Sequence, residues 1–371
     1  MNILIVTLAM TTAGHGAYYN TQDVGLGRAL ARRGHKVDIY KFVKEDNSMY
    51  SPEERLCVHY IHSRSIGSHS VNEYAFITEE CNLLLCFSDN QIGFGRLKRR
   101  CRKLHVQCLP YVGVLGSNST SGIKRKIKDL LASNVRHYRD MTVLAKTPQV
   151  QKELKLRHIE NVVLAPVGLD DALLHTDYAK VDKRTMRGLL HLPEDGKIIL
   201  FLARMTEEKR PLAMTEIFDK LYKEDSRFHL VVIGKGELEE DMQRAISQKG
   251  LEQSVTYLEQ VPNATIWQYF CAADVFVNLN IQEIFGMAIL EAMYYECAVV
   301  ARRAPGPEYI IADLQDGILC ESDEKVWDAA ERLCKDPDMR RVLTERAHEK
   351  VMTQFLWNCT AELIGKEVQG V

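Results

Sequence analysis

The chain has 371 residues, of which 46% are hydrophobic and 26% are charged, the composition of a globular protein with more length than one core usually organises. Two domains are therefore expected. No run of about 18 or more apolar residues occurs, which argues against a membrane-spanning helix. The net charge of −2 combines a positive excess over residues 1–180 with a larger negative excess over residues 181–371.

The first segment, MNILIVTLAM, is predicted to be a buried strand. A signal peptide is disfavoured because no basic segment precedes its short apolar run, and a Gly-rich turn follows at Gly14 and Gly16. A helix is expected around TQDVGLGRALARRG. Further strands are expected at KVDIYKF, VHYIH, NLLLCFS, HVQCLPYV, MTVLAK and NVVLAPV. This alternation is typical of a parallel sheet wrapped by helices.

Two basic stretches account for most of the positive excess, at Arg96 to Lys103 and Lys124 to Lys128. Such stretches are usually solvated helix faces, and the alternative is attraction to an anionic membrane leaflet or a phosphate-bearing glycan. Nucleic acid is disfavoured because aromatic interleaving and the known motifs are missing. The ten cysteines include no C-x-x-C pair, which indicates free thiols in a reducing cytosol, with association at the cytosolic face of a membrane left open.

A second series of apolar segments begins after residue 195, with KIILFLA, FHLVVIG, VTYLEQV, VFVNLN, CAVVARR and GILC. Two doubly wound, Rossmann-like α/β domains are therefore predicted, over residues 1–170 and 171–353. The polar segment from about Asp170 to Gly196 is interpreted as their connection. The final segment, MTQFLWNCTAELIGKEV, is predicted to be one amphipathic helix.

Ligands of open parallel sheets bind beyond the carboxyl ends of the strands. Arg204 closes one such strand, and Lys209 follows just before a Pro211 suited to a first helical turn. Two cations around a strand-to-helix turn suit a diphosphate, although a charged loop without a ligand is an equal alternative.

Gly234 and Gly236 end the next strand and would allow a close approach of the backbone to a ligand, but one G-x-G is weak evidence.

The loop IQEIFG leads into the helical pattern MAILEAMYYE. Free N–H groups at Gly286 and Met287 would favour a phosphate at this helix start. Glu283 precedes the helix. Glu291 lies about five residues inside it, roughly 7 Å along the axis from the phosphate site, which suits the next group of a nucleotide, the ribose. The alternative, that Glu291 is a buried structural acid, is costly without a partner.

These motifs carry a resemblance. ARMTEEKRP, VVIGKGEL, AADVFVNLNIQEIFGMAILEAM and EYIIADLQDGIL resemble the donor-binding half of glycosyltransferase family 4, retaining enzymes of the GT-B fold. TTAGHGAYY, RDMTVLAKTPQVQKELK and NVVLAPVGLDDALL are similar in weaker form. The resemblance implies two Rossmann-like domains facing each other across a cleft, with the 354–371 helix crossing back onto the first.

The resemblance also implies roles for individual residues. Arg204 and Lys209 would hold the donor diphosphate, Glu283 the sugar and Glu291 the ribose. The donor site would be completed by the residues around the helix start and the preceding glycine turn, namely Phe285, Gly286, Met287, Gly234 and Gly236. On the acceptor side, the implied residues are Gly14, His15 and Gly16.

Two positions depart from the family pattern. Many members have a histidine before a glycine where this chain has Leu115 and Gly116, and the candidates to replace it are His15, Ser117 and Asn118. The family's serine near DVFVNLN is replaced by Asn278 or Asn280. These changes concern the identity of the donor sugar more than the reaction.

The implied activity is that of a retaining hexosyltransferase using a nucleotide sugar, with a UDP-sugar expected, and a glycan, lipid-linked or small-molecule acceptor. No cofactor and no metal is expected, since no acidic or histidine cluster has metal-ligand spacing. The alternatives are a GT-B sugar-nucleotide epimerase, which needs no acceptor, and a catalytically silent scaffold subunit. A nicotinamide dehydrogenase is disfavoured by the missing dinucleotide fingerprint.

Overall fold

The structure is a computed structural model that describes residues 1–11, 21–66, 69–87, 91–115 and 134–369. The chain divides into two compact units. The first comprises Met1–Asp171 together with Leu356–Val371, and the second comprises Ala172–Phe355. The final helix therefore belongs to the same unit as the first strand.

The first unit is built on a sheet. Its strands are β1 (Asn2–Met10), β2 (Lys36–Val43), β3 (Ser48–Glu53), β4 (Leu56–His62), β5 (Arg64–Ile66), β6 (His69–Val71), β7 (Leu83–Phe87), β8 (Gln107–Val112), β9 (Val143–Ala145) and β10 (Val162–Leu164). The strand order is β10-β9-β8-β7-β1-β2-β4-β3, and β5 and β6 attach beside β1. All neighbours along this order are parallel except β3 and β4.

The helices of this unit cover a sheet whose central strands are apolar on both faces. All five residues of β7 are buried, as expected for a parallel strand covered on both sides. In the described part of the unit, the helices before residue 171 are α1 (Gln22–Arg32), α2 (Phe94–Lys103) and α3 (Pro148–Leu156). Thr147 caps α3 by accepting a hydrogen bond from the Val150 N–H, and Pro148 occupies its first turn. Local sequence signals thus set where α3 begins.

The second unit contains a six-stranded parallel sheet with the order β13-β12-β11-β14-β15-β16. Counted within the unit, this is the Rossmann order 3-2-1-4-5-6. The strands are β11 (Lys197–Leu202), β12 (Phe228–Ile233), β13 (Val255–Leu258), β14 (Val275–Asn278), β15 (Ala298–Arg302) and β16 (Ile318–Cys320). The helices are α4 (Lys183–Leu189), α5 (Pro211–Glu224), α6 (Glu239–Gln248), α7 (Ile266–Ala272), α8 (Met287–Tyr294), α9 (Pro305–Ile310), α10 (Asp323–Lys335) and α11 (Pro337–Gln354).

The strand order of the second unit reverses between β11 and β14, which are paired at Ile199 with Val275 and at Leu200 with Phe276. A reversal of this kind leaves a crevice at the carboxyl ends of the two strands, because their following connections run to opposite sides of the sheet. The loops that leave β11 and β14 at this point span residues 203–210 and 279–286. These two loops contain Arg204, Lys209 and Glu283.

The predicted final helix is present but starts later than expected, because the segment MTQFLWNCTAELIGKEV contains a break at Phe355 and Leu356. Helix α11 ends at Gln354, and α12 (Trp357–Gln369) begins after Phe355 and Leu356. The Trp357 N–H donates to Leu169 O at 3.1 Å, and the Thr360 hydroxyl donates to Pro166 O at 2.6 Å. The Trp357 N–H therefore forms a hydrogen bond within the first unit instead of continuing α11. No helix in the described ranges has both the length and the apolar character needed to cross a bilayer.

Candidate active site

An ion pair joins the two loops at the crevice of the second unit. Lys209 Nζ donates to Glu283 Oε2 at 2.8 Å, and the side chains are 19% and 17% exposed. Lys209 follows β11 and Glu283 follows β14, so the pair bridges the point at which the strand order reverses. Both charges are accessible enough to meet a ligand and buried enough to be positioned by the fold.

Neighbouring amides hold Glu283 in place. Asn280 is buried, and its Nδ2 donates to Glu283 Oε2 at 3.1 Å. Its Oδ1 accepts from the Gln282 N–H, and the Gly306 N–H donates to the Glu283 carbonyl at 2.8 Å. From the sequence, Asn280 was predicted only as a replacement for a serine, and Gly306 was not among the predicted residues. The Asn-x-x-Glu spacing was the signal that could have identified Asn280.

Arg204 is not part of this ion pair. Its guanidinium contacts Glu208 Oε1 at 2.5 Å, and its side chain is 71% exposed. The two predicted diphosphate ligands are therefore held by different carboxylates. An exposed pair such as Arg204 and Glu208 is weak, so the guanidinium can exchange its partner for an anionic ligand at little cost.

The turn that carries Lys209 is fixed by its neighbour Arg210. Arg210 has a φ of 58°, a left-handed conformation that is uncommon for a residue other than glycine. Its guanidinium makes two hydrogen bonds to Asp323, at 2.8 and 2.6 Å. Pro211 then starts α5, as predicted. The bidentate contact and the proline hold the turn in a conformation that brings Lys209 to the crevice.

The start of α8 requires a glycine. Gly286 is its N-cap with a φ of 103°, and Met287 is its first residue. The first N–H groups of a helix have no partner within the helix and favour an anion. The Phe285 ring packs against Tyr309 and Phe355, with centroids 6.4 Å away in each case. Phe285 thus secures the loop through its side chain, and its contact with a ligand stays a prediction.

Glu291 lies in the second turn of α8 and is 8% exposed. Within the described part of the chain, its carboxylate has no hydrogen-bond or ion-pair partner. Burial raises the pKa of Glu291 to about 8. A buried carboxyl group without a partner is costly when ionised, which is consistent with a group kept for a ligand.

The two glycines after β12 allow one loop to pack on another. Gly234 has a φ of 141°, and a Cβ there would lie 1.9 Å from Ala203 O. A Cβ on Gly236 would lie 2.5 Å from Met205 O. Met205 N–H donates to Lys235 O at 3.0 Å. The glycines therefore position the loop that contains Arg204, and direct contact with a ligand stays a prediction.

The predicted acceptor-side residues Gly14, His15 and Gly16 lie outside the described residues, as do Gly116, Ser117 and Asn118. Leu115, which stands where many family members have a histidine, is 5% exposed. Its side chain belongs to the apolar core of the first unit.

Comparison with solved structures identifies the fold. Over its full length, the chain superposes on all of the Anabaena HepE chain crystallised with UDP, with a TM-score of 0.75 and 14% identity. Together with the two Rossmann-like units, this shows a GT-B fold.

Sequence comparison finds a family match within the second unit. Residues 182–350 match the family model described as "Glycosyl transferases group 1". The assignment to family 4 in particular stays a prediction.

Two relatives carry the name alpha-monoglucosyldiacylglycerol synthase. The protein of Acholeplasma laidlawii is 21% identical over 62% of this chain and 57% of its own length. The protein of Streptococcus pneumoniae is 26% identical over 55% of this chain and 45% of its own length. The chain thus spans about half the length of these curated relatives.

Proposed function

We propose that the protein is a retaining glycosyltransferase that moves a sugar from a nucleotide-diphosphate sugar to an acceptor hydroxyl. The observation that carries the proposal is the Lys209 to Glu283 ion pair at the strand-order reversal, beside the start of α8. It places a cation, a carboxylate and free helix N–H groups in one crevice. This is the set of groups that a diphosphate and its sugar require.

In the proposed reaction, the bond between the anomeric carbon and the diphosphate breaks while the acceptor oxygen bonds to that carbon. The acceptor proton passes to a phosphate oxygen of the leaving group. Lys209, Arg204 and the N–H groups of Gly286 and Met287 stabilise the charge that grows on the diphosphate. Glu283 positions the sugar, and Glu291 accepts hydrogen bonds from the ribose. The retaining course rests on the family resemblance.

A UDP-sugar is the proposed donor. The fold-level likeness to the Anabaena protein crystallised with UDP supports uracil as the base of the donor nucleotide. The carboxyl group of Glu291, which is buried and has no partner among the residues that the structure describes, supports a diol ligand near the α8 start, because a ribose can donate two hydrogen bonds to one carboxylate.

A lipid hydroxyl is the proposed acceptor, in preference to a soluble glycan or a small molecule. The names of the two synthase relatives support a diacylglycerol-type acceptor. Helix α2 supports peripheral contact with an anionic membrane, because its Arg96, Arg99, Arg102 and Lys103 are exposed. Other side chains of α2 are engaged within the unit, such as Lys98, which contacts Asp140.

The test measures UDP-glucose binding by thermal shift and transfer to diacylglycerol in anionic vesicles. Lys209→Ala and Glu291→Ala should each lose most transfer while remaining folded. Lys223→Ala is the matched control, because Lys223 is an exposed lysine of the same unit paired with Asp219. Wild-type rates in either site variant would contradict the proposal.

Two other outcomes would favour the alternative functions. Conversion of the nucleotide sugar without any acceptor would favour an epimerase. Failure of every nucleotide sugar to raise the melting temperature would favour a silent scaffold.

A further inference from the structure

Three metal-ligand side chains meet on the sheet of the first unit, in a place that the proposed reaction does not use. Asp38 lies on β2, and Cys57 and His59 lie on β4. The strands pair in parallel, with Asp38 opposite Cys57 and Tyr40 opposite His59. Since alternate residues of a strand share a face, Asp38, Tyr40, Cys57 and His59 all project from the same side of the sheet.

The ligand atoms of Asp38, Cys57 and His59 lie within 4.8 Å of one another. His59 Nε2 is 2.8 Å from Asp38 Oδ1. In a tetrahedral zinc site with the usual bond lengths, neighbouring ligand atoms are about 3.4 to 3.6 Å apart. Small side-chain rotations therefore suffice to place all three atoms around one ion, with the contact between His59 and Asp38 replaced by bonds to the metal.

The scaffold around these side chains is rigid. Strands β2 and β4 are paired without interruption from Val37 to Val43. The Tyr40 ring stacks on His59 at 4.6 Å and on Phe76 at 3.9 Å, with interplanar angles of 8° in both stacks. The imidazole is thus held in orientation by aromatic packing, as a preformed metal ligand requires.

The cluster is also open to solvent. The side chains of Asp38 and His59 are 21% and 22% exposed, and Cys57 is half-buried. Water can therefore reach the position of a fourth ligand. The cluster lies in the amino-terminal half of β2, whereas substrates of parallel sheets bind at the carboxyl ends. A metal bound here would stabilise the pairing of β2 with β4 without taking part in sugar transfer.

We propose that Asp38, Cys57 and His59 form a zinc site. One thiolate, one imidazole and one carboxylate are the ligand types that Zn²⁺ accepts in tetrahedral geometry, whereas Ca²⁺ and Mg²⁺ prefer oxygen ligands only. On binding, the Cys57 thiol releases its proton to solvent and the sulfur binds as thiolate. The fourth position is taken by water.

From the sequence no metal was expected, because no acidic or histidine cluster has metal-ligand spacing. Cys57 and His59 are two residues apart, but Asp38 lies nineteen residues before Cys57. The pairing of β2 with β4 is what brings Asp38 to the other two. The inference does not depend on the proposed transferase activity.

The test is a titration of the chelator-treated full chain with Co²⁺, followed by displacement with Zn²⁺. The wild type should gain a cobalt-thiolate charge-transfer absorption that saturates at one ion per chain, and Zn²⁺ should remove it. Zinc should also raise the melting temperature. Cys57→Ser and His59→Gln should lose the absorption and the thermal shift while keeping the wild-type circular dichroism.

Cys359→Ser is the matched control, since Cys359 is another half-buried cysteine of the same unit, and it should behave as the wild type. An absorption that persists in Cys57→Ser would place the metal on other thiols and overturn the proposal. Absence of any saturable cobalt or zinc binding by the wild type would overturn it equally, leaving Asp38 and His59 as a hydrogen-bonded pair only.

Discussion

The Lys209 ammonium and the Glu283 carboxylate form an ion pair between the loops that follow the neighbouring strands β11 and β14. The two charges neutralise each other. On the proposed function, a donor diphosphate takes Lys209 as a ligand, which leaves Glu283 free to accept hydrogen bonds from the sugar. The pair therefore holds both groups near their working positions.

Lys209→Ala is expected to lower kcat/KM for the donor by about 100- to 1,000-fold, because one preorganised charge on the leaving group is lost. It should also lower the melting temperature, since Glu283 is left partly buried without its cation. Arg204→Ala should lower kcat/KM without changing stability, because among the described residues the guanidinium of Arg204 pairs only with the exposed Glu208. Steady-state kinetics and thermal unfolding of the two variants check this contrast. Equal melting temperatures would contradict the role given to the ion pair.

The stability of the protein should fall as pH rises through the neutral range because of Glu291. Burial raises the pKa of Glu291 from 4.5 to about 8 in the folded state. Between these values the unfolded chain has lost the proton that the folded chain retains, so unfolding releases a proton and is favoured by higher pH. The slope is about 1.4 kcal/mol per pH unit, and it ends above pH 8.

Urea unfolding of wild type and Glu291→Gln from pH 5 to pH 9 measures this effect. The amide cannot ionise, so the variant should lack this part of the slope and should be the more stable protein at pH 9. Parallel stability curves for the two proteins would show that Glu291 is ionised in the folded state across the range.

Binding of UDP-glucose should tighten between pH 6 and pH 8, because a ribose donates hydrogen bonds to the ionised form of Glu291. The diphosphate of UDP-glucose does not titrate in this range, so the trend would report the protein. Calorimetric titration at several pH values tests it, and Glu291→Gln should bind weakly with little pH dependence. If the affinity of the wild type for UDP-glucose did not depend on pH, the proposed contact between Glu291 and the ribose would be contradicted.

Gly306→Ala should impair catalysis, because the new Cβ would lie 2.3 Å from Phe285 O. The Gly306 N–H also donates to the Glu283 carbonyl, so relief of the clash must move the loop that carries the carboxylate. Gly365→Ala in α12 is the control, since no atom lies within 4 Å of its Cβ position. It should raise stability by about 0.5 to 1 kcal/mol with unchanged activity. Donor kinetics and urea unfolding of both variants test this prediction. Full activity of Gly306→Ala would contradict the need for a glycine beside the loop that carries Glu283.

Much of the fold could be predicted because its signals are local. The apolar segments KIILFLA and FHLVVIG became β11 and β12, and Pro211 marks the first turn of α5. Short strands without a continuous apolar run were missed, such as β3, β5 and β6. The break at Phe355 and Leu356 was missed as well, because the apolar spacing continues through it while the Trp357 N–H is bonded to Leu169.

The sequence by itself determined the class of fold and the residue types of the site, because hydrophobic periodicity, turn residues and helix starts depend on neighbours along the chain. Only the tertiary structure decided which strands lie side by side. The order of β11 and β14 brings Lys209 to Glu283 across 74 residues, and the pairing of β2 with β4 brings Asp38 to Cys57 and His59. Both arrangements depend on hydrogen bonds between strands that are distant in sequence. A local sequence pattern does not specify which of these strands pair with each other.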